Sequence, residues 1–192
     1  ALAANGDASM AMLVTHISAS MGALTWAAIE WKKFGKASVL GAVTGMVAGL
    51  GTITPASGFV GPGGALVIGL LAGFVCFYST VYIKQKLKID DSLDVFPVHG
   101  VGGILGTLLA GVFSSAELGA FSGYGFADGI TTMAEQVTVQ LTGIGATIIY
   151  TAIVSYLLFK LVALMTNGLR VSEEQEITGL DLNEHDESGY NL

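Results

Sequence analysis

Along most of the chain, apolar and small residues run on for longer than a soluble helix needs, broken by short polar clusters. Five such segments, residues 8–31, 38–53, 64–83, 92–113 and 130–165, read as membrane crossings, long enough to cross a hydrocarbon layer of about 30 Å. The second is short and stops before the breaker cluster Thr54-Pro55-Ala56-Ser57-Gly58. The fifth is too long for a perpendicular span and is predicted to tilt or to project beyond the bilayer. Trp26 and Trp31 close the first segment, where an interfacial aromatic belt is expected. Small residues recur every fourth position at Gly41, Gly45 and Gly49, at Gly69 and Gly73, and at Gly102, Gly106 and Ala110. Such ridges let helix backbones approach closely. The pattern predicts an all-α, polytopic membrane helix bundle.

Composition strengthens this reading and charge divides the chain. Only 12% of residues are charged, half the usual soluble fraction of about 25%. The 27 glycines show no Gly-X-Y period, so they belong to helix packing rather than to collagen. The net charge of −7 resides at one end, because residues 173–192 hold seven carboxylates and no Lys or Arg. We therefore divide the chain into a transmembrane bundle, residues 1–170, and an acidic tail, residues 171–192. With five spans, Lys32, Lys33, Lys36, Lys84, Lys86, Lys88, Lys160 and Arg170 all fall on one side of the membrane. The positive-inside rule makes that side cytoplasmic, with residue 1 outside and the C-terminus inside the cell membrane. The chain lacks a starting Met and a signal-peptide pattern, and its opening residues are expected to be the interior of a longer protein. Cys76 is alone on an apolar helix and reads as a small core residue.

Candidate chemistry concentrates in residues 91–103. Asp91 is the expected N-cap of a helix running from residue 92, with Asp94 completing an imperfect capping box. Counted from there, His99 stands about 10 Å along the axis, within the hydrocarbon layer. Pro97 withdraws a donor from the Leu93 carbonyl, so a kink or loosened turn is expected just before His99. An ionisable group at that depth marks a site or pathway, the alternative being a neutral imidazole satisfied by a helix neighbour. His16 also lies within a span, where Thr15 and Ser18 are available to satisfy it and a packing role is favoured over pore lining. Glu135 and Gln140 fall near the outer interface, and His185 in the acidic tail.

Other chemistries find no support. Gly61-Pro62-Gly63-Gly64 lacks the lysine of a phosphate loop, and Gly100-Val101-Gly102-Gly103 misses the dinucleotide spacing. No Cys/His spacing suggests a metal, no nucleophile has an adjacent base, and no basic, aromatic surface suits nucleic acid. No cofactor and no enzymatic activity are expected.

The run Asp94-Val95-Phe96-Pro97-Val98-His99-Gly100 resembles the signature of the ammonium transporter (Amt/Mep) family. Three further stretches agree, in the family's order. They are Ala1-Leu2-Ala3-Ala4-Asn5; Gly41-Ala42-Val43-Thr44-Gly45-Met46-Val47-Ala48-Gly49-Leu50 with Thr54-Pro55-Ala56; and the tail elements Gly168-Leu169-Arg170-Val171-Ser172-Glu173-Glu174, Gly179-Leu180-Asp181 and Glu184-His185-Asp186-Glu187. The resemblance implies helices seven to eleven of an eleven-helix fold with inverted repeats. It also implies a homotrimer in membrane lipid with one pore per subunit. His99 matches the second of two pore histidines, and Val95 would line the narrow apolar part. Asp91, Asp94 and Thr44 would border or support the cytoplasmic vestibule. The paired histidine and the outer recruitment site would precede residue 1. Pro97, where the family often has a small residue, and Asp186, where Gly is usual, depart from its pattern.

On this resemblance ammonium is recruited, loses a proton and crosses as ammonia, because an ion is costly in an apolar constriction. Three alternatives stand beside it. They are an ammonium sensor signalling through its tail, a Rhesus-type ammonia channel, and a structural membrane subunit without a pathway. A regulatory protein of the PII type is the partner expected at the cytoplasmic face.

Overall fold

The structure, a computed structural model, describes residues 3–189, and helices and turns are the regular elements among them. The chain divides into two compact units, Ala1–Ile144 and Gly145–Leu192.

In the first unit α1 (Gly6–Phe34) opens where the Asn5 side chain accepts the Ala8 N–H at 3.0 Å. It carries Asp7 in its first turn and Lys32 and Lys33 in its last, each favoured by the helix dipole. Gly35, at φ +75°, ends it in the left-handed conformation that glycine adopts without penalty. Ser38 then caps α2 (Val39–Ile53), accepting the Gly41 N–H at 2.8 Å. Glu30 ties these two helices together. Its carboxylate accepts the Ser38 N–H at 2.7 Å, the Ser38 hydroxyl at 3.0 Å and the Trp26 indole N–H at 3.3 Å.

Helix α3 (Pro62–Val81) starts with proline in its first turn and runs on into a π-turn, Tyr82–Lys86. A second π-turn, Phe96–Val101, leads into α4 (Gly102–Phe113), and α5 (Met133–Thr166) follows after an irregular loop. Four helical stretches have the length and apolarity to cross a membrane, namely Gly6–Phe34, Pro62–Lys86, Phe96–Phe113 and Met133–Thr166. The expected second span is shorter. The 15 residues of α2 extend about 22 Å, and buried Ile53, Ala56 and Val60 carry the chain onward through the same core.

The small-residue ridges hold this core together. Ser18 sits where α1 meets α2 and α3, and its hydroxyl donates to the Gly49 carbonyl at 2.9 Å. A Cβ on Gly49 would overlap the Ser18 carbonyl, and one on Gly73 would come 2.7 Å from the Gly22 carbonyl. Backbone therefore lies against backbone, as lipid-embedded helices require for close contact. Two apolar clusters fill the remaining space. One comprises Val14, Ile53, Ala56, Val60, Ala65, Ile68 and Ala110. The other, nearer the lysine-bearing end, comprises Trp26, Ala48, Cys76, Phe77 and Val98. There the Lys33 ammonium stands 4.4 Å from the centre of the Tyr78 ring.

In the second unit the latter part of α5 presents apolar residues on all sides, Tyr156, Leu157, Leu158 and Phe159 among them, and they are exposed. A helix of that kind belongs in lipid or against other membrane helices. Beyond it, α6 (Glu173–Thr178) begins with a reciprocal capping box between Ser172 and Gln175. α7 (Leu180–His185) folds back on it through Asn183, whose amide donates to the carbonyls of Gln175 and Gly179. Arg170 pairs with Glu176 at 2.8 Å.

Candidate functional site

The helix carrying His99 starts later than the sequence indicates, for a polar reason. Residues 92–93 form a turn, and helical structure begins at Val95. Its first four positions all reach a solution. The Asp91 carboxylate accepts the N–H groups of Val95 at 2.9 Å and Phe96 at 2.8 Å. Pro97 has no N–H to satisfy, and Val98 donates to the Asp94 carbonyl at 3.0 Å. Asp91 thus caps the helix as expected, but from four residues before its start. Asp94 is not the third helical residue of a capping box. It occupies the position just outside the helix in the left-handed region, at φ +55°, and its Oδ1 lies 2.8 Å from the Lys84 ammonium.

This later start corrects two expectations. His99 stands about 6 Å from the start of its helix at 1.5 Å per residue, not 10 Å. Pro97 falls in the first turn, where proline is tolerated, so it interrupts no established ladder. The widened geometry spans Phe96–Val101 and so includes the histidine rather than preceding it. Such π-turns are rare and recur at functional positions.

Pro97 and Val98 point into the core and are buried, while Val95 and His99 are exposed on the other side. Four residues beyond His99, Gly103 continues the strip, with no atom within 4 Å of where a Cβ would stand. Helix α2 flanks the strip through Gly51, whose added Cβ would lie 3.7 Å from the His99 Nδ1. Thr44 lies seven residues before Gly51, on the same face and about 10 Å along the axis. Its hydroxyl donates to the Leu40 carbonyl at 2.9 Å. The structure therefore brings Val95, His99, Gly51 and Gly103 into one narrow, mostly apolar strip. Asp91, Asp94 and Thr44 lie towards its lysine-bearing end.

His16 lies elsewhere, in a groove of about 540 Å³ lined by Met12, Thr15, Met46, Leu50 and Ser57 among others. The expected help from Ser18 is absent, because that hydroxyl is committed to Gly49. Glu135 closes the N-terminus of α5, accepting the N–H groups of Thr131 and Thr132 at 3.0 and 3.1 Å. Gln140 lies against Gly111, and His185 is exposed in the last turn of α7. Among the described residues, no three His, Cys, Asp or Glu side chains gather as a metal site. Gly51, Gly103 and Lys84 were missed by sequence reasoning. Gly51 falls off the four-residue ridge of α2, and Lys84 reads as one more interfacial lysine.

Comparison with known proteins gives this geometry its context. The sequence profile of the Ammonium Transporter Family matches residues 1–190. A putative ammonium transporter of Methanothermobacter thermautotrophicus is 42% identical over 193 residues, covering 100% of this chain and 46% of the relative. The crystal structure of Saccharomyces cerevisiae Mep2 superposes with a TM-score of 0.76 at 36% identity, over 90% of this chain and 39% of that one. A structure described as Sensor Amt Protein superposes with a TM-score of 0.82 at 25% identity, over 95% of this chain and 43% of that one. The chain spans less than half the length of each of these proteins.

Proposed function

Because the chain belongs to the ammonium transporter family, we propose that it forms the second half of an ammonium-conducting pore, with His99 at its edge. The observation that carries this reading is the strip Val95–His99–Gly103 beside Gly51. There one imidazole stands exposed on an apolar membrane helix whose opposite face is packed. Isolated charge transferred to an apolar medium costs tens of kcal/mol in the Born limit, whereas an uncharged polar molecule costs a few. A passage of this kind therefore favours ammonia over ammonium. The imidazole offers ammonia a hydrogen-bonding partner through its ring nitrogens. Val95 supplies the apolar wall, and Asp91, Asp94 and Thr44 shape the end towards the lysines. That end is the cytoplasmic one in this reading, with residues 1–170 as the membrane bundle and 171–192 as the tail. Homotrimeric assembly and a PII-type partner at the tail belong to the same proposal.

Replacing His99 by Ala in the intact protein tests the reading. Selective ammonium uptake should fall at least about tenfold, equivalent to about 1.4 kcal/mol of barrier, with the amount of protein in the membrane unchanged. Uptake and selectivity at the wild-type level would refute it. The second reading, an ammonium sensor, draws on the likeness to Sensor Amt Protein and on the self-contained hairpin of α6 and α7. Deleting residues 173–192 separates the two, since a sensor would lose its signalling while uptake persists.

A further inference from the structure

The position of His99 depends on how its helix begins, and that beginning is tied to a residue eleven positions earlier. Among the described residues, Lys84 is the one lysine of the seven in the chain paired with a carboxylate. It sits in the middle of the π-turn Tyr82–Lys86, and its partner Asp94 immediately precedes the helical start at Val95. The pair therefore closes the loop between the two π-turns. A groove of about 780 Å³ lies between the turns, lined by Tyr82, Ile83, Leu87, Phe96 and Val101 among others. The Asp94 side chain is 18% exposed and that of Lys84 38% exposed, so the contact is partly withdrawn from solvent. Asp94 also adopts the left-handed backbone, φ +55°, that side-chain-bearing residues avoid without a local reason. From that residue the Asp94 carbonyl accepts the Val98 N–H, one position before His99.

From this geometry we infer that Lys84 is a positioning residue for His99. By holding the Asp94 carboxylate it fixes the left-handed turn from which the π-turn starts, and with it the place of the imidazole beside Gly51. The consequence for transport rests on the pore reading above, whereas the positional claim does not. The ion pair of Lys84 is made with Asp94, and it acts on the imidazole through that residue.

The test measures the ring directly. Diethyl pyrocarbonate modification of the intact protein, read by mass spectrometry, gives a rate for each histidine, with His16 and His185 as internal controls. Lys84→Met and Asp94→Asn should each raise the His99 rate by about threefold or more, the signature of a locally loosened element, with the control rates unchanged. Lys84→Arg should restore the wild-type rate. Maximal ammonium uptake should fall in Lys84→Met while the half-saturating concentration holds. An unchanged His99 rate in both charge-removing variants would overturn the inference, as would a parallel rise at all three histidines, which would mark general loosening. Normal uptake in His99→Ala sinks the pore reading but leaves the reactivity result intact, so the two failures are distinguishable.

Discussion

Gly49→Ala tests whether backbone contact holds the bundle. The new Cβ would overlap the Ser18 carbonyl and come 3.0 Å from the Ala19 Cα. Both are backbone atoms on a helix gripped from two sides, so no side-chain rotation relieves the overlap, and α1 and α2 must part. Overpacking of this kind costs about 1–3 kcal/mol. Separation also weakens the bond from Ser18 to the Gly49 carbonyl, worth about 0.6 kcal/mol on average in membrane proteins. The better helix propensity of alanine offsets about 1 kcal/mol, leaving a net loss of about 2 kcal/mol. For a chain of this size that corresponds to roughly 4–8 °C in the unfolding midpoint. Gly51→Ala, two residues along the same helix, is the control, because its Cβ would meet only the Val98 carbonyl at 3.5 Å and the His99 Nδ1 at 3.7 Å, ordinary contact distances. Thermal unfolding of both variants in detergent, followed by tryptophan fluorescence, should show a lower midpoint for Gly49→Ala alone. Equal midpoints for the two would refute the argument that backbone approach sets the stability of this core.

Further expectations follow from the same contacts. Gly51→Ala, though stable, places a methyl beside the imidazole and should reduce ammonium flux without reducing protein level, as measured by uptake into proteoliposomes. Glu30→Ala removes the acceptor for the Ser38 N–H and hydroxyl and should cost about 1–2 kcal/mol, seen as faster tryptic cleavage at Lys36. Gly106→Ala would drive a Cβ into the Thr52 carbonyl and should lower the unfolding midpoint by more than Gly102→Ala, whose nearest neighbour is the Thr52 Oγ1 at 2.9 Å. In the tail, the Gly189 N–H and then that of Leu182 hold the Asp181 carboxyl below its ordinary value. A depressed carboxylate stabilises the fold above its unfolded pKa and loses that contribution as pH falls through its folded pKa. Asp181 should therefore titrate below an ordinary aspartate in carboxyl-detected NMR, and the bond to Gly189 should persist until acidification passes through that lowered pKa.

How much of this was legible in the sequence depended on whether the cause was local. The apolar runs specified the helices, and an ionisable residue close behind a capping carboxylate and a proline in such a run pointed to His99. The four-residue spacing located Gly45, Gly49, Gly69 and Gly73, each now seen against a neighbouring backbone or side chain. The start of the His99 helix was not legible. A carboxylate at Asp91 reads as an adjacent N-cap, and a left-handed Asp94 held by Lys84 across the intervening loop leaves no mark in the local pattern. Gly51 was hidden for a related reason. The four-residue period reports the face of α2 packed on α1, whereas the contact with His99 lies off that face.

These two kinds of contact divide the work of the fold. A core built from touching backbones sets the distance between helices rigidly, because neither partner has a side chain that can shift. It cannot equally specify where a side chain on the exposed side of the π-turn Phe96–Val101 stands, since that side has few interdigitating neighbours to fix it. Orientation must then come from the helix terminus, where the Asp91 carboxylate and the Asp94 carbonyl choose which N–H groups begin the helix. One residue of slip there would turn His99 by about 100° around the axis and carry the ring away from Gly51. Substitutions at Lys84 and Asp94 should therefore alter transport with little change in the unfolding midpoint, whereas those at Gly49 and Gly106, and removal of the Asp91 cap, should alter both.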